Sequence, residues 1–244
     1  MNAKFKKIAV FSPVRPVRSG ISDYSEKLLT ALENEFEIDL FVDNYVPELK
    51  STGKLSFYQR KDFEWRTRRI NYQTIVYQMG NSGFHSYIYP VLFRHPGLVV
   101  LHDANLHRSR AFHHLNNNAL GCYLDEMKYC HGDDGERAAW LIAKGINSNY
   151  VFDRFPMLNL VCEAATNIAV HNKYCLEIVE ECVFEKAVHL MPHPYIDDDV
   201  PDSREARREL GLNPDIQVIA SFGFITPGKG LEMAIRAVQN LMDK

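Results

Sequence analysis

The sequence predicts an α/β protein: a Rossmann-like parallel sheet with helices on both faces. Three observations carry this. Short β-branched runs alternate with stretches of helical period along most of the 244 residues. The run Leu98–Leu101 is purely aliphatic, as suits a central parallel strand buried on both faces. The loops after the strands carry glycine, asparagine and histidine, residues of turns and of ligand-facing sheet edges.

The elements follow in order. Lys7–Phe11 is a buried strand bounded by Ser12-Pro13. Asp23–Leu32 places Tyr24, Leu28, Leu29 and Leu32 at helical spacing, with Ser22 as the expected N-cap. Ile38–Val42 closes a first βαβ unit with a right-handed crossover. Residues 46–69 are irregular apart from a short strand at Leu55–Tyr58. Thr74–Gln78 is a strand, His85–Phe93 a helix, and Leu98–Leu101 the central strand. Leu106–Ser148 is mainly helical, punctuated by Gly121 and by Gly132–Gly135. Ala165–Val170, Tyr174–Cys182 and Ala187–Met191 continue as strand, helix and strand. Pro192–Asp202, with its acidic run Asp197–Asp199, reads as a linker. Beyond it come a helix at Ser203–Leu210 stopped by Gly211, a strand at Ile216–Ala220, a glycine-rich turn and a helix at Leu231–Met242. The expected domains are 1–200 and the beginning of a second, similar one at 201–244. A single βα unit cannot close a sheet, so the expectation is a domain cut short or completed by a second polypeptide.

Bulk properties exclude several classes. A formal net charge of −3 gives no field to gather nucleic acid. No run approaches the roughly 18 apolar residues of a membrane-spanning helix, and Met1–Lys7 is too polar to open a signal peptide. The five cysteines are odd in number and form no CxxC pair, so free thiols in a reducing cytoplasm are expected and structural zinc is not. The basic residues of Lys54–Arg69 interleave with Phe57, Tyr58, Phe63 and Trp65. They read as a solvated face and leave peripheral contact with anionic lipid open. Tyr72, Tyr77, Tyr87 and Tyr89 read as packing residues.

Four loops carry chemistry. SPVRPVRSGIS (Ser12–Ser22) joins a strand to a helix; Gly20 lets backbone N–H groups approach an anion, with Arg15 and Arg18 adding charge. It is not a GxGxxG dinucleotide fingerprint, and a plain turn glycine with solvated arginines is the competing reading. YQMGNSGFH (Tyr77–His85) offers Asn81 and His85 at a strand's carboxyl end, or simply a strand-ending turn. LHDANLH (Leu101–His107) puts His102 and Asp103 where the most aliphatic strand ends, suited to donating to a sugar hydroxyl or moving a proton. A metal-dependent hydrolase built on His102, Asp103, His107, His113 and His114 is the alternative there, but no HExxH-like helical pair supports it. SFGFITPGKG (Ser221–Gly230) sets Gly223, Gly230 and the point charge of Lys229 between a strand and a helix, without a Walker A pattern.

Taken in order, FSPVRPVRSGISDYSEKLL, VYQMGNSGFHSYIYPVLFRHPGLVVLHD, NIAVHNKY, PHPY and ASFGFITPGKGLEMAIRA resemble family-4 glycosyltransferases of the GT-B fold. The resemblance covers nearly the whole chain but only the first half or slightly more of such an enzyme. In that family two Rossmann domains face each other across a cleft. The C-terminal one binds a nucleotide-diphospho-sugar, the N-terminal one mostly holds the acceptor, and transfer retains the anomeric configuration without a metal. The resemblance therefore implies a nucleotide-sugar donor as substrate and no cofactor. The acceptor would be a glycan, a lipid-linked or a small molecule, and the location cytoplasmic, including the inner face of the membrane.

Carried onto this sequence, Gly20 lies near the donor phosphates, together with Gly223 and Gly230. His102 contacts the donor sugar, and Lys229 pairs with the diphosphate and stabilises the leaving group. Arg18, Asn81, His85, Asp103 and His171 would line the cleft. Phe224 stands where many members have an arginine, and the family's paired glutamates are not among these residues. A non-catalytic acceptor-binding or interaction module on the same fold is the alternative from another class.

Overall fold

The computed structural model describes residues 6–146, 148–183, 186–193, 201–223, 225 and 229–242. The chain divides into two units, Met1–His193 and Pro194–Lys244.

The first unit is an alternation of strands and helices: β1 (Lys6–Phe11), α1 (Gly20–Leu32), β2 (Phe36–Val42), β3 (Leu55–Gln59), α2 (Phe63–Thr67), β4 (Ile75–Met79), α3 (Tyr89–Leu92) and β5 (Leu98–Leu101). It continues with α4 (His107–Asn116), α5 (Leu120–Ala143), α6 (Asn149–Arg154), α7 (Asn159–Ala164), β6 (Asn167–Val170), α8 (Lys173–Cys182) and β7 (Val188–Leu190). The strands form one seven-stranded sheet in the order β3-β2-β1-β4-β5-β6-β7. Every pairing is parallel. The expected Rossmann-like α/β architecture is therefore present, and the strand order reverses between β1 and β4.

The period of two along each strand sorts the core into two layers. Phe11, Phe41, Tyr77, Met79, Val99, Leu101 and Val170 face one side, where Phe63, Tyr89 and Val161 join them. Ile8, Val10, Ile38, Leu40, Val42, Val100 and Ala169 face the other, against Leu29 of α1. Phe11 meets Phe41, Phe63 and Tyr77 at ring-centroid distances of 5.0, 4.9 and 5.2 Å, anchoring the first layer. Tyr77, Tyr87 and Tyr89 are buried packing residues, as expected. Within β2 the buried Asp39 binds Lys7 at 3.0 Å, Arg66 at 2.7 Å and the Tyr72 hydroxyl at 2.6 Å. Arg66 also lies over the Tyr58 ring, so part of the basic–aromatic stretch is structural rather than a solvated face.

Between β5 and β6 the chain makes a long helical excursion, residues 102–166, with an apolar interior of its own. Tyr123, Met127, Ala138, Ala139, Ile142 and Met157 form that interior. Arg110 of α4 and Glu126 of α5, both buried, pin its two longest helices together.

Several element boundaries differ from the sequence reading. Helix α1 starts at Gly20, because the cap is Ser19, whose side chain accepts from the Ser22 backbone N–H at 3.1 Å. The helix expected at His85–Phe93 is confined to α3, preceded by a 3₁₀ turn at Gly83–His85. Gly121 does not interrupt α5; Gly132 does, leaving helical dihedrals at φ 65° and ψ −157°. Residues 63–67, expected to be irregular, are helical.

The second unit contains α9 (Ser203–Glu209) and α10 (Leu231–Met242). Ile216–Ala220, expected as a strand, is not one and is exposed: a strand needs a hydrogen-bonded neighbour, and none pairs with it among the described residues. Instead Arg207 Nη1 donates to the Asn213 and Ile216 carbonyls. Phe224 and the acidic run Asp197–Asp199 lie outside the described residues. No helix among the described residues is long and apolar enough to cross a membrane.

Candidate functional site

Strand register builds the site. Met79 pairs with Leu101, Leu101 with Val170, and Val170 with Leu190. Gly80, His102 and His171 are thus the next rungs beyond three adjacent strand ends, side by side on the carboxyl rim. That rim is where open α/β sheets bind ligands, above all where strand order reverses. Gly80 stands between the β1–α1 loop and His102, and its lack of a side chain matters. A Cβ there would lie 2.3 Å from Ile21 Cδ1 and 3.0 Å from His85 Nε2.

Tyr24, in the second turn of α1, ties the helix start to the strand tips. Its ring meets His102 edge-on at 4.7 Å, and His171 and His193 at 5.1 Å each. The imidazoles also pack on one another: His102 and His171 are 4.6 Å apart between centroids, His171 and His193 4.3 Å. Burial, with His171, His85 and His193 nearby, pushes the His102 ring down to about 3, so it is neutral at physiological pH. Its Nε2 lies 2.7 Å from Gln78 Oε1. His171 has lowered basicity through burial, and its Nδ1 donates to the Met191 carbonyl at 2.8 Å.

The α1 N-terminus is open to ligand. Gly20 is exposed, and a Cβ on it would meet nothing within 4 Å. Arg18 is exposed and has no ion pair among the described residues. Arg15 is spoken for: its backbone N–H and Nε reach Glu26 at 2.9 and 2.8 Å, so it holds the loop instead of offering a free charge.

The remaining rim residues turn out to be scaffolding. Asn81 Oδ1 accepts from the Arg108 and Ser109 N–H groups at 2.9 and 3.3 Å, capping α4 from a distant loop. The Asn81 N–H donates to Asp103 Oδ2 at 3.0 Å, fixing the exposed Asp103 side chain. His85 is buried, not cleft-lining in the open sense; Nδ1 donates to the Gln78 carbonyl at 3.0 Å and burial lowers its pKa to about 4. His107 and His114 are likewise internal, bound to Tyr123 and Glu126. They do not join His102, so the local histidine cluster proposed from sequence does not form.

In the second unit, Lys229 is exposed just before α10. Gly223 and Gly230 adopt φ of 120° and 65°, which only glycine holds without strain.

Two concavities decide where a second ligand could sit. One, about 650 Å³, is lined by Lys6, Lys7, Glu37, Arg69 and Gln73 at the amino edge of the sheet, away from the imidazoles. A groove of about 430 Å³ lies on the carboxyl rim beside the glycine loop, lined by Val17, Asp43, Tyr45, Gly83, Phe84 and Phe112. The second groove shares the carboxyl edge of the sheet with Gly20, His102 and His171.

Sequence reasoning missed Tyr24, Gln78 and His193. His102 and His171 follow directly on β5 and β6, whereas His193 lies three residues past the end of β7, so only the strand order makes the three neighbours. All five cysteines are free. Burial pushes Cys130 and Cys162 up to about 12, which leaves them inert as nucleophiles. No protein-family model and no curated protein matches the chain.

Proposed function

We propose that the chain belongs to a nucleotide-sugar-dependent glycosyltransferase of the GT-B, family-4 type, acting with retention and without a metal in the transfer step. The observation that supports this best is the convergence at the β1/β4 reversal. An unblocked helix N-terminus at Gly20, with Arg18 exposed nearby, adjoins a neutral imidazole, His102, through the Tyr24 ring. A helix end favours a phosphate, and a neutral imidazole can hydrogen-bond a sugar hydroxyl without adding charge. Lys229, exposed next to the left-handed Gly230, is the second unit's own candidate phosphate contact, a positive charge of the kind that stabilises a diphosphate leaving group.

The acceptor, in this reading, uses the 430 Å³ groove. Phe84 and Phe112 are exposed there, and aromatic faces beside the Asp43 carboxylate suit a ring that carries hydroxyls. A glycan, a lipid-linked sugar and a small-molecule acceptor all fit that chemistry. A cytoplasmic location, at the membrane's inner face for a lipid-linked acceptor, belongs to the same proposal.

The test is an assay of the natural polypeptide that carries these residues against a panel of nucleotide-sugars, reading released nucleoside diphosphate. His102→Ala and Lys229→Ala are expected to lose turnover of order 10²-fold or more while staying folded. Gly20→Ala is expected to raise KM for the donor. Unchanged turnover in both alanine variants removes the assigned roles.

A second reading, an interaction module on this fold, is favoured by one observation. Ile219, Phe222, Ile225, Met233 and Leu241 of the second unit are all highly exposed, apolar side chains suited to a protein partner. Nucleotide-sugar binding abolished by Lys229→Ala would decide against it.

A further inference from the structure

We propose that His102, His171 and His193 form a binding site for a single divalent transition-metal ion of the zinc class. One ring nitrogen of each lies within 4.8 Å of the others. The inference stands on these imidazoles alone and not on the transferase reading.

His171 points most directly to a ligand. It is 8% exposed, and its Nε2 is buried without a hydrogen-bond partner among the described residues. The Met191 carbonyl can only accept, so His171 Nδ1 carries the proton and Nε2 carries the lone pair. A metal-binding histidine has this arrangement: one nitrogen donates to a backbone carbonyl, which fixes the tautomer and aims the other at the ion. A buried nitrogen with no partner otherwise costs free energy. His102 follows the same pattern with a side chain in place of the carbonyl. Gln78 Oε1 faces its Nε2, which leaves Nδ1 unprotonated.

Three imidazoles make a soft nitrogen set that suits zinc, nickel or copper and not magnesium or calcium. Tetrahedral bonds of about 2.0–2.1 Å need nitrogens about 3.3 Å apart, so the cluster must tighten. His193 is the ligand free to move, being exposed in the coil after β7. Three protein ligands leave a fourth position for water or an oxygen ligand. Local sequence patterns miss such a site, because its ligands come from three strand ends and not from one helix face.

An ion here would occupy His102, the imidazole that the transferase reading assigns to the donor sugar. His193→Ala separates the two ideas, since it removes a metal ligand that has itself been given no transfer role, and its readout is metal binding and not turnover. The experiment is calorimetric titration of chelator-treated, dialysed protein with ZnCl₂, repeated with CoCl₂ while following the visible absorption of bound cobalt. The expected result is one saturable site per chain and cobalt bands of a low-coordinate nitrogen site. Loss of a ligand should weaken binding by about ten-fold or more, given that outer-shell changes alone reach that size. His193→Ala and His171→Ala should each do so. His189→Ala, at an exposed histidine of β7, should leave binding unchanged. Absence of saturable one-to-one binding overturns the proposal. So does His193→Ala binding as well as the parent protein, or His189→Ala weakening binding equally. His193 is exposed, so its variant remains informative should His171→Ala fail to fold.

Discussion

The buried pair at the heart of the helical excursion yields the sharpest stability prediction. Arg110 Nε donates to Glu126 Oε1 at 2.7 Å, Arg110 Nη2 contacts Oε2, and His114 Nε2 lies 2.6 Å from the same oxygen. Both charged side chains are nearly sealed, at 2% and 3% exposure. Burial alone would raise the Glu126 pKa; hydrogen bonds from His114 and Arg110 overcome it and hold the carboxyl below its usual value.

Glu126→Gln keeps the shape and strands a buried guanidinium. Breaking such a pair costs about 3–5 kcal/mol. The Tyr89 ring, 4.2 Å from the Arg110 guanidinium carbon, still solvates it, which points to the lower end, about 3 kcal/mol. For a domain of this size that lowers the melting temperature by roughly 6–12 °C. The double variant Arg110→Met, Glu126→Leu removes both charges and should lie within about 1 kcal/mol of the parent. Urea unfolding followed by far-UV circular dichroism, run as a double-mutant cycle, measures both. Because the folded carboxyl pKa is depressed, its contribution is full above the ordinary value near 4.3 and fades as pH falls through the folded value. The gap between parent and Glu126→Gln should therefore narrow in acid. A loss under about 1 kcal/mol for the single variant, or equal losses for single and double, refutes the reasoning.

Other tests follow from the same structure. Asn81→Ala removes the acceptor for two N–H groups at the start of α4 and should cost about 1–2 kcal/mol by urea midpoint; no loss would mean the cap is made elsewhere. Gly97→Ala would place a Cβ 2.4 Å from the Ile75 carbonyl oxygen and should cost roughly 1–3 kcal/mol or more. Gly20→Ala, with open space around it, should leave the melting temperature within about 2 °C. Burial holds His107 down to about 4. Against an unfolded value near 6.5, its contribution is full above that pH and is lost as pH falls toward 4. Between pH 7 and 5 the parent should lose about 2 kcal/mol more stability than His107→Gln does. Equal losses would mean the imidazole is protonated in the fold.

The fold was legible where the sequence speaks locally. The aliphatic LVVL of β5 predicted a doubly buried central strand, and Val99, Val100 and Leu101 are buried between β4 and β6. Caps and breaks were less legible. Ser19 and Ser22 offer the same hydroxyl, and only backbone geometry selects Ser19. Gly121 and Gly132 look alike on paper, yet only Gly132 takes a positive φ. The position of His102 and Gly20 on the carboxyl rim was legible because strand-to-loop junctions announce that edge. The capping of α4 by Asn81 was not legible because that helix begins far along the chain, and no local pattern links the two. Arg15 was counted as free charge because Glu26 lies a helical turn and a loop away. The imidazole trio needed the sheet order itself, which periodicity does not supply.

The helical excursion between β5 and β6 carries its own apolar interior, closed by Tyr123, Met127 and Ala139. It leaves the sheet after Leu101 and returns at Asn167, and Leu158 and Val161 near its end pack into the first core layer of the sheet. Yet Phe112, on its first helix, forms one wall of the rim groove. A segment with an interior of its own thus borders the groove, and substitution of the exposed Phe112 offers a route to reshaping the groove while the strand ladder stays put.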